Sequence, residues 1–437
     1  MKVFLQTLGC EKNRVDSEMI LGVCKKLGLT PCNNPEDADL LIVNTCAFIE
    51  SAREEAINTI LEIADYKKGN KKLIVAGCLS QRYKDELVEE LPEVDRFIRI
   101  KDYFNLADVI CEVLDINSNT NVCMNFVDRV YDESTSYLRY VRISDGCLNR
   151  CAFCAIPLIR GRLKSRTMDD ILEEVKVHIK DGVKELCIVS QDTTNYGFDL
   201  ERRLMLTDLL RKICALDGDF KVRLFYLYPE IVTDELIDFI KNEPKMMPYF
   251  DIPIQHSEDK ILKLMRRRSN KQMIVDLFHK IRKAIPNAIL RTTIMVGFPY
   301  ETEEDVHNLC EFIKDVKFDR LGCFTFSPEE GTEAYKMPQE ISEEEKMRRY
   351  NFVMDTQYDI SLHQNQTHLG EITDVLIEGY DEENLMYFGR SYGYAPDDID
   401  GRVYVACHDE KNIGDIVRAK VLDCDAYTLT CEEYEEN

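Results

Sequence analysis

Residues 143–162 read ISDGCLNRCAFCAIPLIRGR. They decide the fold because an apolar run of strand length, YVRIS (140–144), ends where three cysteines begin, Cys147, Cys151 and Cys154 in CLNRCAFC. Five more runs of that kind follow: ELCIVS (185–190), KVRLFY (221–226), YFDIPI (249–254), ILRTTIMVG (289–297) and RLGCFTF (320–326). Helical patterns such as MDDILEEVKVHIKDG (168–182) lie between them. Strands alternating with amphipathic helices make a parallel sheet, and six such units make a partial (βα)6 barrel whose site lies at the carboxyl ends of its strands. CLNRCAFC follows the first of those strands.

The spacing CxxxCxxC leaves three readings. Three core cysteines would have no reason to cluster in a loop. A zinc site needs a fourth ligand, which a distant residue would have to supply. An iron-sulfur cubane accepts thiolates, and three of them leave its fourth iron open.

Upstream, residues 1–115 show the same alternation. KVFLQTLGC (2–10), DLLIVNTC (39–46) and KLIVAGC (72–78) each end in a cysteine, and helical patterns such as ESAREEAINTILEIADY (50–66) follow. A doubly wound parallel sheet is expected. Its strand ends share one edge, so Cys10, Cys46 and Cys78 should meet there. NSNTN (117–121) followed by DRVYDESTS (128–136) reads as a linker. Downstream, one long helix is expected over 341–365. EITDVLIEGY, NLMYFGRSY, GRVYVAC and GDIVRAKVLDC then read as the strands of a small antiparallel β-barrel, and EEYEEN (432–437) as a fraying end. The expected domains are therefore 1–115, 134–364 and 365–437.

Composition narrows the chemistry. Seventeen cysteines in 437 residues, without the basic start and apolar middle of a secretion signal in MKVFLQTLGC, point to a reduced, cytoplasmic setting and to metal chemistry instead of disulfides. No apolar run reaches the length of a membrane span. Histidines such as His178 and His256 form no HExxH pair, and neither a GxSxG elbow nor a GxxxxGK[ST] phosphate loop occurs, so hydrolase and nucleotide triphosphatase readings lack support. Cys187 and Cys323, inside strands, read as core.

With Phe153 before the last cysteine, the motif and its six βα units resemble the radical SAM superfamily. TLGCEKNRVDSE (7–18), NTCAFIESAREE (44–55), VAGCLSQRY (75–83), IPIQHSEDKILKLMRR (252–267) and IMVGFPYETEED (294–305) resemble its methylthiotransferase family, with a terminal barrel of the TRAM type. The resemblance implies two 4Fe-4S clusters, one on Cys147, Cys151 and Cys154 and one on Cys10, Cys46 and Cys78, each with an open iron. It implies S-adenosylmethionine (SAM) in two roles, as methyl donor to the sulfur on the amino-terminal cluster and as source of the 5′-deoxyadenosyl radical that activates a substrate carbon. A reducing electron donor is also implied.

Two branches of that family differ in substrate, an adenosine of transfer RNA or an aspartate of ribosomal protein S-twelve. AIPLIRGRLKSR (155–166), SQDTTNYG (190–197), LFYLYPE (224–230) and FGRSYGYAPDDIDG (388–401) resemble the second branch. Asp145 stands where that family commonly has glutamate. Charge agrees: residues 371–437 carry 18 Asp and Glu against five Lys and Arg, and the whole chain has a net charge of -24. Such a barrel repels a phosphate backbone, making RNA contact through it unfavourable, and attracts a basic ribosomal protein.

Supporting residues are expected around the core motif. Arg160 and Arg162, with Lys164 and Arg166, form a basic loop suited to guiding a carboxylate. Phe153, Gln191, Gly297 and Pro299 are candidates for SAM contact, with Asp192 beside them, the glycine letting backbone approach the nucleoside. The run KLMRRRSNK (263–271) reads as a solvated helix face.

Overall fold

The computed structural model describes residues 1–117 and 122–435. Most of the linker expected at 117–121 and the last two residues of the tail lie outside them.

The amino-terminal unit runs β1 (Lys2–Thr7), α1 (Glu11–Lys26), β2 (Thr30–Pro31), β3 (Leu40–Thr45), α2 (Glu50–Ala64), β4 (Lys72–Gly77), α3 (Cys78–Glu90), β5 (Arg96–Arg99) and α4 (Leu106–Leu114). Its five strands pair in parallel in the order β2-β1-β3-β4-β5. The sequence of β3, LLIVNT, explains why helices cover both faces. Leu40 and Ile42 pack with Ile20 of α1 and Ile110 of α4, whereas Leu41 and Val43 pack with Ile60 of α2 and Leu87 of α3. A strand buried on both sides reads as an unbroken apolar run. The chain passes outward from β1 to β2 and then back across to β3. Neighbouring strand ends therefore diverge at β1 and β3, the switch point where such sheets bind ligands.

Within the stretch expected to be a linker, residues 129–131 are packed between the units. Arg129 is fully buried and pairs with Glu18 of α1 at 2.9 Å and with Glu174 of the next unit, and it donates to the Tyr140 carbonyl at 3.0 Å. Polar composition suggested a tether, but a guanidinium facing two carboxylates across a domain boundary forms a buried network. Arg166 joins Glu174 from the other side, so it belongs to this network and not to a solvated basic loop.

The central unit supplies β6 (Leu138–Arg142), β7 (Ser144–Asp145), α5 (Ile156–Ile159), β8 (Lys164–Ser165), β9 (Glu185–Val189), β10 (Lys221–Leu224), β11 (Tyr249–Asp251), β12 (Ile289–Val296) and β13 (Arg320–Thr325). β6, β9 and β10 form one parallel ladder and β11, β12 and β13 another. The two ladders meet at a single parallel bridge, Val222 to Met246. Six strands thus follow one another in sequence order, and among the described residues β6 and β13 do not pair. This is the partial barrel, with its apolar layer, including Leu186, Val222, Phe250 and Ile294, fully buried. Cys187 and Cys323 are buried within it.

The helix Glu343–Gln366 leads to β14 (Ile372–Asp381), β15 (Met386–Arg390), β16 (Arg402–Ala406), β17 (Ile416–Cys424) and β18 (Thr428–Glu433). They close a barrel in the order β14-β15-β16-β18-β17. Two details differ from expectation. β16 and β18 pair in parallel, so the barrel is not wholly antiparallel. The fifth strand takes in Glu432 and Glu433, which the acidic composition placed in a frayed end; the alternation Leu429, Cys431 on its inner face holds it in the barrel. Among the described residues no helix is long and apolar enough to cross a membrane.

Buried ion pairs fix the units to each other. Glu185 of β9 takes Arg223 of β10 at 2.6 Å and Arg390 of β15 at 2.8 Å, tying the terminal barrel to the core. Burial opposes ionisation of Glu185, but the two guanidinium groups outweigh it and hold the carboxyl at about 2. A carboxyl depressed in the folded state stabilises above its unfolded pKa near ~4.3 and loses that contribution as pH falls towards the folded value. The melting midpoint should therefore fall between about pH 4.5 and 2, and Glu185→Gln should flatten that part of the profile while removing about 3 kcal/mol at neutral pH. Differential scanning calorimetry of both proteins across this range checks it.

On the opposite side, Glu329, in the loop after β13, pairs with Arg53 of α2 and with Arg82 of α3, the latter at 2.9 Å. Arg82 also donates to the Ala47 carbonyl at 2.8 Å, directly behind Cys46. Glu329→Ala would leave two cations facing each other, and we expect a loss of about 3 kcal/mol with faster proteolytic release of the amino-terminal unit. Limited proteolysis timed against the parent chain measures it.

Candidate active site

Cys10 precedes α1 at the end of β1, Cys46 follows β3 and Cys78 opens α3. Two glycines make that convergence possible. Gly9 has φ +85°, and a Cβ there would stand 2.7 Å from the Cβ of Cys46. Gly77, with φ +95°, would meet the Asn44 side chain at 2.4 Å. Only glycine lets these strand ends approach so closely. Asn13 then fastens them, its Nδ2 donating to the carbonyls of Leu8 and Thr45, both at 2.9 Å. Burial pushes the Cys78 thiol up to about 12, with Cys46 and Cys10 adding to the rise and Arg160 opposing it. Burial raises Cys46 as well. Cys10 remains exposed.

The core triad sits on a loop closed at its base by β7 and β8, where Ser144 pairs with Ser165 and Asp145 with Lys164. Gly146 begins the loop at φ +70°, and a Cβ would collide with the Arg162 carbonyl at 2.3 Å. Ala152 is held from both sides, its N–H on Met265 at 2.9 Å and its carbonyl on Ala334 at 2.8 Å. Phe153 packs against the apolar cluster of Ala152, Phe298 and Phe326. The Cys151 sulfur lies 3.2 Å from the Tyr228 hydroxyl, and Arg267, stacked on the Tyr228 ring at 3.8 Å, donates to it at 3.9 Å. Asn149 donates to Cys147 and, at 2.6 Å, to Asp192. Burial, then Asp192, raises the Cys147 thiol to about 12. Burial raises Cys154 also. Burial thus disfavours the thiolate at Cys46, Cys78, Cys147 and Cys154, and a bound cation would favour it.

One ionic bridge joins the two triads. Asp16 of α1 takes Arg142 of β6 at 2.6 Å and Arg160, just beyond α5, at 2.7 Å. Both arginines reach on to Asp145 at 3.7 and 3.6 Å. Arg160 also donates to Asn13 at 2.7 Å and to the Cys78 sulfur at 3.9 Å. A residue of the core loop therefore touches the amino-terminal triad.

The remaining expected residues divide. Gln191 donates to Asp145 at 3.4 Å, and its carbonyl oxygen is buried with no hydrogen-bond partner among the described residues. Asp192 is a buried hub for Asn149 and Asn195. Arg162 and Lys164 are exposed, and Arg162 has no side-chain hydrogen bond or ion pair among the described residues. Gly297 has φ +74°, and a Cβ there would lie 2.4 Å from the Lys346 side chain of the long helix. Pro299 is buried beside it. The run 263–271 is not one solvated face: Arg266 is exposed, but Arg267 is buried against Tyr228. Asn13, Asp16, Tyr228 and Arg267 escaped the sequence reading, although the first two lie within the phrase TLGCEKNRVDSE.

Among the described residues no three His, Cys, Asp or Glu side chains surround a point where a single metal ion could sit. The zinc alternative thus has no ligand set in place. Three thiols per site, two of the first set buried and one exposed, suit a thiolate-held cluster with one open side.

Residues 2–99 match Uncharacterized protein family UPF0004, residues 141–313 the Radical SAM superfamily and residues 369–432 the TRAM domain. Among solved structures, the radical SAM methyltransferase TsrM from Kitasatospora setae, with cobalamin and a [4Fe-4S] cluster bound, superposes with a TM-score of 0.56 at 13% identity over 78% of this chain and 77% of that one. The radical enzyme OxsB reaches 0.54 at 11% identity, covering 82% of this chain and 57% of that one. At such identities the likeness is one of fold. A protein of Caldicellulosiruptor saccharolyticus described as ribosomal protein uS12 methylthiotransferase RimO is 43% identical over 99% of both chains. One of Acetivibrio thermocellus with the same description is 44% identical over 100% of this chain and 99% of its own. The chain belongs to the RimO family of radical SAM methylthiotransferases.

Proposed function

We propose that the protein replaces a hydrogen on the β-carbon of an aspartate in ribosomal protein uS12 with a methylthio group. The observation that carries the proposal is the pair of three-thiol sets on the facing strand ends of two units, joined through Asp16, Arg142, Arg160 and Asp145. Relatives described as uS12 methylthiotransferases along the whole chain supply the substrate.

With clusters held by Cys10, Cys46 and Cys78 and by Cys147, Cys151 and Cys154, the bound groups would supply a transferable sulfur at the first site and, with SAM and an electron donor, a 5′-deoxyadenosyl radical at the second. The chain's own residues hold these sites in register. Asp16 and Asp145 neutralise Arg142 and Arg160 in a site largely closed to water, so the geometry persists without a mobile counter-ion. Arg267 and Tyr228 orient the Cys151 sulfur, and Asn149 that of Cys147. Phe153 and the buried Pro299 wall the loop, while Gln191 presents an unpartnered carbonyl beside Asp145 for a hydrogen-bond donor such as the SAM ammonium. Arg162, exposed at the loop's rim, is free to steer the approaching substrate. Arg390, Arg402 and Lys411 of the terminal barrel pair with its own or the core's acids, and acids outnumber bases there 18 to five, which favours a basic cytoplasmic partner and disfavours RNA.

Reconstituted anaerobically with SAM, sulfide and a reductant, the protein should add a methylthio mass to the uS12 aspartate, read by peptide mass spectrometry. Modification of transfer RNA but not of the protein would overturn this. Cys151→Ala should abolish 5′-deoxyadenosine formation. Cys46→Ala should retain it yet yield no product, and each variant should bind about half the iron of the parent.

A further inference from the structure

Lys12 is the second residue of α1 and follows Cys10 by two positions. Three features set it apart from an ordinary lysine. Its side chain is 9% exposed. Its charge stands in the first turn of a helix, where the backbone dipole disfavours a cation. It donates one hydrogen bond, to the neighbouring Glu11 at 2.7 Å, out of the three its ammonium can make. A lysine four carbons long would normally extend to water from such a position.

Its environment comes from the other unit. The ammonium lies 3.6 Å from the ring centroid of Tyr226, just past β10 at the barrel's carboxyl edge. Tyr226 has φ +59°, a strained conformation for an aromatic residue, and its N–H is fixed on Asp251 at 3.0 Å. Strain of this kind persists where the surroundings over-determine it and is concentrated at functional sites. Here it sets an aromatic face under a cation beside Cys10, the exposed thiol of the amino-terminal triad.

Four arginines near this edge already hold partners. Arg142 and Arg160 serve Asp16 and Asp145, and Arg291 serves Asp251 and Asp400. Arg267 serves the Pro253 carbonyl and the Tyr228 ring. The Lys12 ammonium, with one hydrogen bond made, keeps two donors for a newcomer, and Glu11 shows the kind of group it takes.

We infer that Lys12 receives the carboxylate of the substrate aspartate and so selects that residue over a neutral one; the inference rests on the substrate reading above. In aspartate the β-carbon is bonded to the carboxyl carbon. Holding the carboxylate on Lys12 therefore fixes the reacting carbon between Cys10 and the barrel edge. Lys12 is a specificity residue in this account, and the Tyr226 ring is its support.

The test is binding to the reconstituted holoenzyme, measured by fluorescence anisotropy with two labelled peptides of the uS12 loop, one with its aspartate and one with asparagine there. The parent should bind the aspartate peptide at least about tenfold more tightly. Lys12→Gln should bind both alike, at the weaker level, with iron content and cluster spectra unchanged. Lys12→Met, of similar length but uncharged, should behave as Lys12→Gln does. A parent-like preference in either variant would overturn the role of Lys12, and so would loss of the amino-terminal cluster in both, which would make the residue structural. A parent without preference that also fails to modify the aspartate peptide would instead locate the failure in the substrate reading.

Discussion

A buried carboxylate, Asp16, shared by Arg142 and Arg160, is the contact on which the rest of the arrangement depends. Burial alone would keep Asp16 protonated, but the two guanidinium groups outweigh that and lower its pKa. Neither arginine would be tolerated there without it, because an unpaired charge in a dry interface costs several kcal/mol. The acid comes from the first helix, one base from the first barrel strand and the other from the core cysteine loop. Three pieces of chain far apart in sequence thereby have one permitted relative position. Each cysteine triad needs that position to face the other.

Much of this was legible in the sequence, for physical reasons. Strands buried on both faces are largely apolar, so β3 and β4 announce themselves, and the paired glycine-cysteine steps at 9–10 and 77–78 mark tight strand ends. All six core strands were readable, although β10 stops at Leu224 because Tyr226 leaves the strand conformation. The terminal barrel was readable in four of five strands. The fifth was hidden by its acidic outer face, since alternation with only Leu429 and Cys431 inside is easily taken for a solvated tail.

What escaped notice was polar and long-range. Arg129 and Arg267 lie in stretches whose composition suggests solvent, and each is buried by partners far away in the sequence, Arg129 by Glu18 and Arg267 by Tyr228 and Cys151. A single chain carries no mark distinguishing a guanidinium that finds two carboxylates from one that finds water. The same limit hid the Lys346 side chain that packs against Gly297.

The two cysteine sets differ in how they are gathered. Cys147, Cys151 and Cys154 lie in one loop pinched by the two-residue ladder of β7 and β8, so bringing them together closes only a short length of chain. Cys10, Cys46 and Cys78 come from three strand ends and meet only when the parallel sheet has formed. Loop closure is cheaper for the first set, and its ligands are neighbours even in a partly folded chain. The second set is a product of completed folding. With clusters held as proposed, maturation would have an inherent direction: the core loop would be competent to take up iron early, and the amino-terminal site only after its sheet has closed.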